Sequence, residues 1–429
     1  MTTLIGFGVL AILMALRIPV GIAMGIVGTA GIAQIVDWSA AYRMIGTIAV
    51  RTTTDYAFGI IPMFLLMGSL VSRSGISSEL YRAANAFVGH FRGGLALATI
   101  GACGGFSAIS GSSVATAATF SSIAYPEMLR KSYPKSLAAG VIAAGGSLGI
   151  LIPPSTVLAV YGIITQQDIG KLFIAGILPG ILAVTMYMVA IALIGRLKPG
   201  LLPDGVRAQR GEKLASLRGI WATLVLFAFV IGGLYGGFFT PTEAGAMGAA
   251  GAFAVGLLRR RLSIADIRAA LVDTTRVTAS IFTILIGALL FGYFLALTQT
   301  PQAITSFLAT LGLGPYGILI LILLMYLVLG CIMDSMAMIV LTLPIVFPII
   351  IQLGFDPIWF GIVLVVVVEL GIITPPIGIN LFVIKSVLPD VDLTDIFRGV
   401  VPFILTDVVR LAVLVAFPAI SLFLPSLMR

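Results

Sequence analysis

Charge is scarce in this chain. Only 10% of its 429 residues are Asp, Glu, Lys or Arg. Soluble domains carry roughly 25%, so a water-exposed globular fold is excluded. Histidine is almost absent: His90 stands alone beside Arg92. One His assembles neither a metal-ligand cluster nor a Ser/His hydrolase pair. Cysteine is nearly absent too. Cys103 and Cys331 lie far apart in apolar surroundings, which reads as helix packing rather than a disulfide. No cleavable leader is visible, because the first apolar stretch runs past residue 30 without a small-residue processing site. The net charge of +8 gathers in short loops. That placement encodes topology and gives no reason to expect nucleic acid as a partner.

What is present is apolar. Hydrophobic residues make up 59% of the chain, and the mean hydropathy is +1.16. This is the composition of an all-α polytopic membrane protein. Glycine supplies 49 residues, which suits close helix packing and interrupted helices.

A polar stretch, "RLKPGLLPDGVRAQRGEKLASLR" (196–218), divides the chain with six basic and two acidic residues and reads as a cytoplasmic linker. It separates a first unit, 1–195, from a second, 219–429. The units resemble each other weakly. "LGILIPPST" from residue 148 matches "LGIITPPIG" from residue 370, an offset of 222. Pro19 matches Pro241 at the same offset, and Gly68 matches Gly292 at 224. Three matches near one offset argue for internal duplication. Arg82, Arg92, Arg130, Lys131 and Lys135 flank the apolar segment 94–124. The corresponding segment of the second unit has flanks without Lys or Arg. By the positive-inside rule the two enter from opposite faces, so the repeats are inverted.

Each segment is too short to cross twice, which needs about 40 residues. Residues 94–124 break at "SAISGSS", and residues 317–351 break at "GCIMDSMAM". Both are expected to be re-entrant helical hairpins, with tips at Ser110–Ser113 and at Asp334–Ser335. Non-helical backbone at membrane depth is tolerated only when buried or lining a polar cavity, so both tips should face an internal site. A helix carrying Pro-Pro follows each hairpin, over 136–167 and 358–388. Proline removes an N–H and interrupts the helix, leaving free carbonyls on one half and free N–H groups on the other. Carbonyls suit a hard cation such as Na⁺, and half-helix N-termini suit an anion. Two cation sites with an anion site between them follow.

Other polar residues carry competing readings. Asp334 could be a site residue or a partner for tip N–H groups. Glu369 could pair with a helix terminus or a basic neighbour. Asp407 and Arg410 lie three apart, facing each other as a local ion pair or a subunit contact. Glu243 reads as a helix cap. Residues 77–92 and 263–276 mix charge and apolar side chains at helical spacing, as amphipathic arms lying along the membrane surface do.

At "GGSLGILIPPSTVLAVYG" (145–162), "TPTEAGAMGA" (240–249), "GCIMDSMAMI" (330–339) and "GIITPPIGINLFVIK" (371–385) the chain resembles the large membrane subunit of TRAP transporters, the DctM-type permease of the ion transporter superfamily. The resemblance runs from about residue 3 to the C-terminus. It implies an elevator-type transport domain on a scaffold, and Na⁺-driven uptake of an organic acid across a bacterial or archaeal inner membrane. It also implies two partners: a soluble periplasmic substrate-binding protein and a small four-helix membrane subunit. That subunit is expected as a separate chain, because this one starts directly at its own first helix. Membrane lipid surrounds the assembly. Carried onto this sequence, Ser110, Ser112 and Ser113 with Gly146, Gly149 and Pro153 should frame one Na⁺ site. Asp334 and Ser335 with Gly371 and Thr374 should frame the other. Substrate should lie near Ser110, Ser155, Asp334 and Asn380. Two or more Na⁺ ions are implied, and no catalytic residue. The alternatives are a stand-alone Na⁺-coupled dicarboxylate or citrate-type symporter, a channel, and an intramembrane serine hydrolase, the last disfavoured by the lack of a placed His.

Overall fold

A chain with so few charges must satisfy its backbone internally if it sits in lipid, and the helix does this within one segment. In a computed structural model, residues 2–198, 200–205 and 211–428 are described, and twenty α-helices and no strand occur among them. The first unit opens with α1 (Thr2–Ala15), α2 (Val20–Ile35), α3 (Trp38–Thr54), α4 (Ile60–Arg73) and α5 (Ile76–Val88). Then come α6 (Gly94–Ser110), α7 (Ser113–Arg130), α8 (Lys135–Ser147), α9 (Thr156–Thr165) and α10 (Ile169–Leu197). The second unit holds α11 (Glu212–Tyr235), α12 (Pro241–Leu258), α13 (Ile264–Leu297) and α14 (Thr300–Thr310). It continues with α15 (Pro315–Gly330), α16 (Ser335–Gln352), α17 (Pro357–Ile372), α18 (Ile379–Val387), α19 (Leu393–Ala416) and α20 (Ala419–Ser426). Six of the described helical segments are long and apolar enough to cross a bilayer. The chain is a multi-pass membrane protein.

Two helix pairs fold back on themselves. α6 and α7 have 17 and 18 residues, and α15 and α16 have 16 and 18. At 1.5 Å per residue these arms are about 24–27 Å long, short of the ~30 Å hydrocarbon core. The first hairpin reaches Arg130, beyond the expected end at residue 124, because Pro126 sits inside α7 without ending it. α8 and α9 are two halves of one interrupted helix, as are α17 and α18. A 3₁₀ turn, Leu148–Ile150, opens the first interruption. The peptide bonds Pro153–Pro154 and Pro375–Pro376 are both cis.

Glycine sets the packing of the outer helices. A Cβ on Gly21 would lie 2.6 Å from the Ile284 Cα, and one on Gly28 would lie 2.6 Å from the Leu290 carbonyl carbon. α2 and α13 therefore touch backbone to backbone, as small residues allow in membranes. The capping box of Thr240 and Glu243 starts α12, so Glu243 is a cap.

Three expectations need correction. The arm at 263–276 is not a separate surface helix. It forms the first part of α13, which runs unbroken for 34 residues, since no Gly or Pro interrupts residues 264–286. The arm at 77–92 is a helix of its own, but it ends at Val88. The polar stretch at 196–218 is partly helical: α10 runs into it as far as Leu197, and α11 begins within it at Glu212. Residues 199 and 206–210 of that linker lie outside the described residues. Its described part is pinned to the hairpin, with the Gly93 N–H donating to the Pro203 carbonyl at 3.1 Å and Arg92 3.4 Å from Asp204.

Candidate functional site

The first hairpin tip turns on Gly111, whose φ of +59° lies in the left-handed region that glycine adopts without cost. Ser110 ends α6, and its hydroxyl lies 3.0 Å from that of Thr116. Ser112 caps α7 by accepting the Ala115 N–H at 3.3 Å, and Ser113 is buried beside it. The first break closes over this tip. Thr156 donates to the Gly111 carbonyl at 3.1 Å. A Cβ on Gly149 would lie 2.5 Å from the Ser112 carbonyl, and one on Gly146 would lie 2.7 Å from the Ala117 Cβ. Ser155 caps α9 through the Leu158 N–H and donates to the Ile150 carbonyl. Pro153 is buried. The residues expected to frame the first Na⁺ site, Ser110, Ser112, Ser113, Gly146, Gly149 and Pro153, thus lie on one tip and the break that covers it, together with Ser155, which was expected near substrate.

The second tip and break meet differently. Gly330 and Gly371 touch, a Cβ on Gly371 falling 2.7 Å from the Gly330 Cα. The Gly378 N–H donates to the Cys331 carbonyl at 3.1 Å. Asp334 caps α16, accepting from the N–H groups of Met336 and Ala337 at 3.0 and 3.4 Å. It is exposed, whereas Ser335 is buried. Thr374 is half-buried and donates back to the Leu370 carbonyl. Asn380, in the first turn of α18, is 0% exposed, and neither atom of its side-chain amide has a partner.

The two groups are joined by helix packing: α18 lies on α7, and α16 lies on α9. They differ in exposure. The first tip is sealed against α4, where a Cβ on Gly68 would lie 2.7 Å from the Ser110 carbonyl. At the second tip, Ile332 is 58% exposed. Chemically, both groups offer hydroxyl, amide and carbonyl oxygens, the donors a hard cation takes. Among the described residues no three His, Cys, Asp or Glu side chains gather where a metal ion could be held. A cavity of about 600 Å³ lies elsewhere, between α3 and α13 on one wall and α9 and α16 on the other, lined by Arg51, Asp55, Gln167, Leu285 and Pro344. It includes neither tip.

A family description, Tripartite ATP-independent periplasmic transporter, DctM component, matches residues 7–420. The chain belongs to the DctM family. It is 41% identical to the C4-dicarboxylate TRAP transporter large permease protein DctM of Pseudomonas aeruginosa, over 88% of each chain. It is 33% identical to the isethionate TRAP transporter permease protein DctMQ of Oleidesulfovibrio alaskensis, over 97% of this chain and 65% of that one. Its fold resembles the YdaH transporter of Alcanivorax borkumensis, with a TM-score of 0.62 at 14% identity over 90% of both chains. As a DctM component, this chain is the large permease of a TRAP transporter and not an enzyme.

Sequence reasoning missed one feature of this DctM chain. Glu369 accepts from Arg410 at 2.7 Å, and Arg410 lies 3.1 Å from Asp407. Tyr187 donates to Asp407 at 2.6 Å. The Asp407–Arg410 pair was visible from its spacing, and it lies inside the chain rather than at a subunit contact. Glu369 has taken the basic neighbour among its two options. Nothing in the sequence pointed to Tyr187.

Proposed function

We propose that this permease couples inward movement of an organic anion to Na⁺ entry, as one component of a three-protein uptake system in a bacterial or archaeal inner membrane. The observation that carries the reading is Asn380. A fully buried amide without partners costs roughly 1–3 kcal/mol unless something binds it, and this one begins the half-helix behind the second break. Ser110, Ser112, Ser113 and the carbonyls around Gly146–Pro153 would hold one Na⁺. Ser335, Thr374 and the carbonyls around Gly371 would hold a second, with Asp334 fixing the tip as its cap. The anion would lie between, reached by Ser110, Ser155 and the Asn380 amide. Bound Na⁺ supplies positive charge there, and the hairpins exclude water.

The charge pattern supports two inverted units. Their hairpins and broken helices would form a moving body, with α2, α4 and α13 in a fixed scaffold, as in an elevator. The relatives named for a dicarboxylate and for a sulfonate support an organic acid as cargo. A receptor protein would deliver it, and a small membrane subunit would enlarge the scaffold. The test is reconstitution in vesicles with the partner proteins under an imposed Na⁺ gradient. Uptake should collapse when Na⁺ is replaced by K⁺ or when the receptor is left out. Robust uptake by this chain alone would replace the reading with the stand-alone symporter.

A further inference from the structure

Five buried side chains stand behind the two breaks and take no part in the sites assigned above. Ser147 ends α8, and Glu369 lies three residues before the end of α17. Between them stand Tyr187 of α10 and Asp407 and Arg410 of α19. The Ser147 hydroxyl donates to the Ala144 carbonyl of its own helix at 2.8 Å and touches the Tyr187 hydroxyl at 3.3 Å, and Tyr187 donates to Asp407 Oδ2 at 2.6 Å. Arg410 Nη2 lies 3.1 Å from Asp407 Oδ1 and donates to Glu369 Oε2 at 2.7 Å. All five residues are 0% exposed. The helix that carries the central pair is clamped to both broken helices. A Cβ on Gly399 would lie 1.8 Å from the Ser136 carbonyl of α8, and the Trp359 indole of α17 donates to the Leu414 carbonyl at 3.0 Å.

Such a network is costly in a membrane, and apolar replacements often anchor helices as well. It is also incompletely satisfied: Glu369 Oε1 and Arg410 Nε and Nη1 make no hydrogen bond, and Asp407 Oδ1 meets Arg410 only as an ion pair. Its ends are its distinctive feature. They attach near the C-terminal ends of α8 and α17, the two half-helices whose carbonyls are assigned above to the proposed cation sites.

We propose that Ser147, Tyr187, Asp407, Arg410 and Glu369 are positioning residues that couple the two cation sites, so that filling one raises the affinity of the other. This rests on the Na⁺ reading above. The end of a half-helix is free of the backbone ladder and shifts when a cation draws its carbonyls together. In a low-dielectric interior a chain of packed polar contacts, ion pairs and hydrogen bonds holds few geometries. A shift at Ser147 is therefore passed through Tyr187, Asp407 and Arg410 to Glu369, and the effect is reciprocal.

The test is the Na⁺ dependence of uptake by the complete transporter in vesicles, for wild type, Tyr187→Phe and Ser147→Ala. Tyr187→Phe keeps the ring and removes the central hydroxyl. Wild type should respond sigmoidally. Tyr187→Phe should respond hyperbolically, with half-saturating Na⁺ raised about fivefold, the low end of typical coupling. The substrate KM at saturating Na⁺ should stay unchanged, which a general loss of structure would not spare. Ser147→Ala cuts the first link and should behave alike if Tyr187→Phe accumulates poorly. A hyperbolic wild type, or sigmoidal variants with unmoved half-saturation, overturns the proposal, as does failure of both variants to accumulate. A wild type indifferent to Na⁺ overturns the cation reading beneath it.

Discussion

Gly149→Ala isolates the contact between the first break and the first hairpin tip. Gly149 does not adopt a left-handed φ, so alanine is not strained by its own backbone there. The cost is steric. Its Cβ would lie 2.5 Å from the Ser112 carbonyl carbon and oxygen and 2.7 Å from the Ser113 N, whereas ordinary contact begins at 3.4 Å. These are backbone atoms, so a rotamer change gives no relief. The tip must retreat by about 0.9 Å, and overpacking of this kind costs about 1–3 kcal/mol. If that falls on the cation site, half-saturating Na⁺ rises roughly 5- to 140-fold, at 1.4 kcal/mol per factor of ten. The assay is uptake against Na⁺ concentration in vesicles, beside thermal unfolding in detergent. Gly46→Ala in α3 is the control. Nothing lies within 4 Å of its Cβ, and alanine there should be neutral or stabilise by up to about 1 kcal/mol. A Gly149→Ala protein with wild-type Na⁺ dependence would refute the claim that this contact shapes a cation site.

Three further substitutions probe separate elements. Asn380→Leu should raise the substrate KM at least tenfold while leaving the unfolding temperature unchanged or higher, because the amide has no protein partner to lose; a clear fall in unfolding temperature would contradict this. Asp334→Ala should cost about 0.5–2 kcal/mol as a lost cap and abolish coupled uptake. Asp334→Asn keeps the cap, so normal uptake by it would confine the residue to capping. Arg410→Met leaves Glu369 and Asp407 as buried, uncompensated charges and should cost about 3–5 kcal/mol, read as loss of the chain from the membrane fraction.

The interruptions at Gly111–Ser112, at Cys331–Asp334 and at the two Pro-Pro pairs were legible because their causes are local. A polar interruption within an apolar stretch, and two adjacent prolines, act within a few residues. Length then forces the fold-back. The arm at 263–276 was misread for the same reason: its charges suggested a surface helix, but no breaker separates it from the apolar run that follows. The Ser147–Tyr187–Asp407–Arg410–Glu369 chain was illegible because its members come from four helices. Only the Asp407–Arg410 spacing leaves a trace in sequence. Asp334 shows how far residue type carries: an acid at the tip was foreseen with two roles open, and its oxygen accepts from the N–H groups of its own helix.

α13 also sets a dimension. Its charged residues, Asp266, Arg268, Asp273 and Arg276, all fall in its first thirteen positions. The remaining 21 residues carry no charge and at 1.5 Å each measure about 32 Å, close to the ~30 Å of hydrocarbon in an average bilayer. Because α2 is seated on this stretch through glycine contacts, the two helices register the protein against membrane thickness. A thinner bilayer must be met by tilting that pair rather than by sliding it, since sliding would drag Arg276 into the acyl chains. The acyl-chain length of the host membrane thereby becomes one of the constraints on how this permease stands in the bilayer.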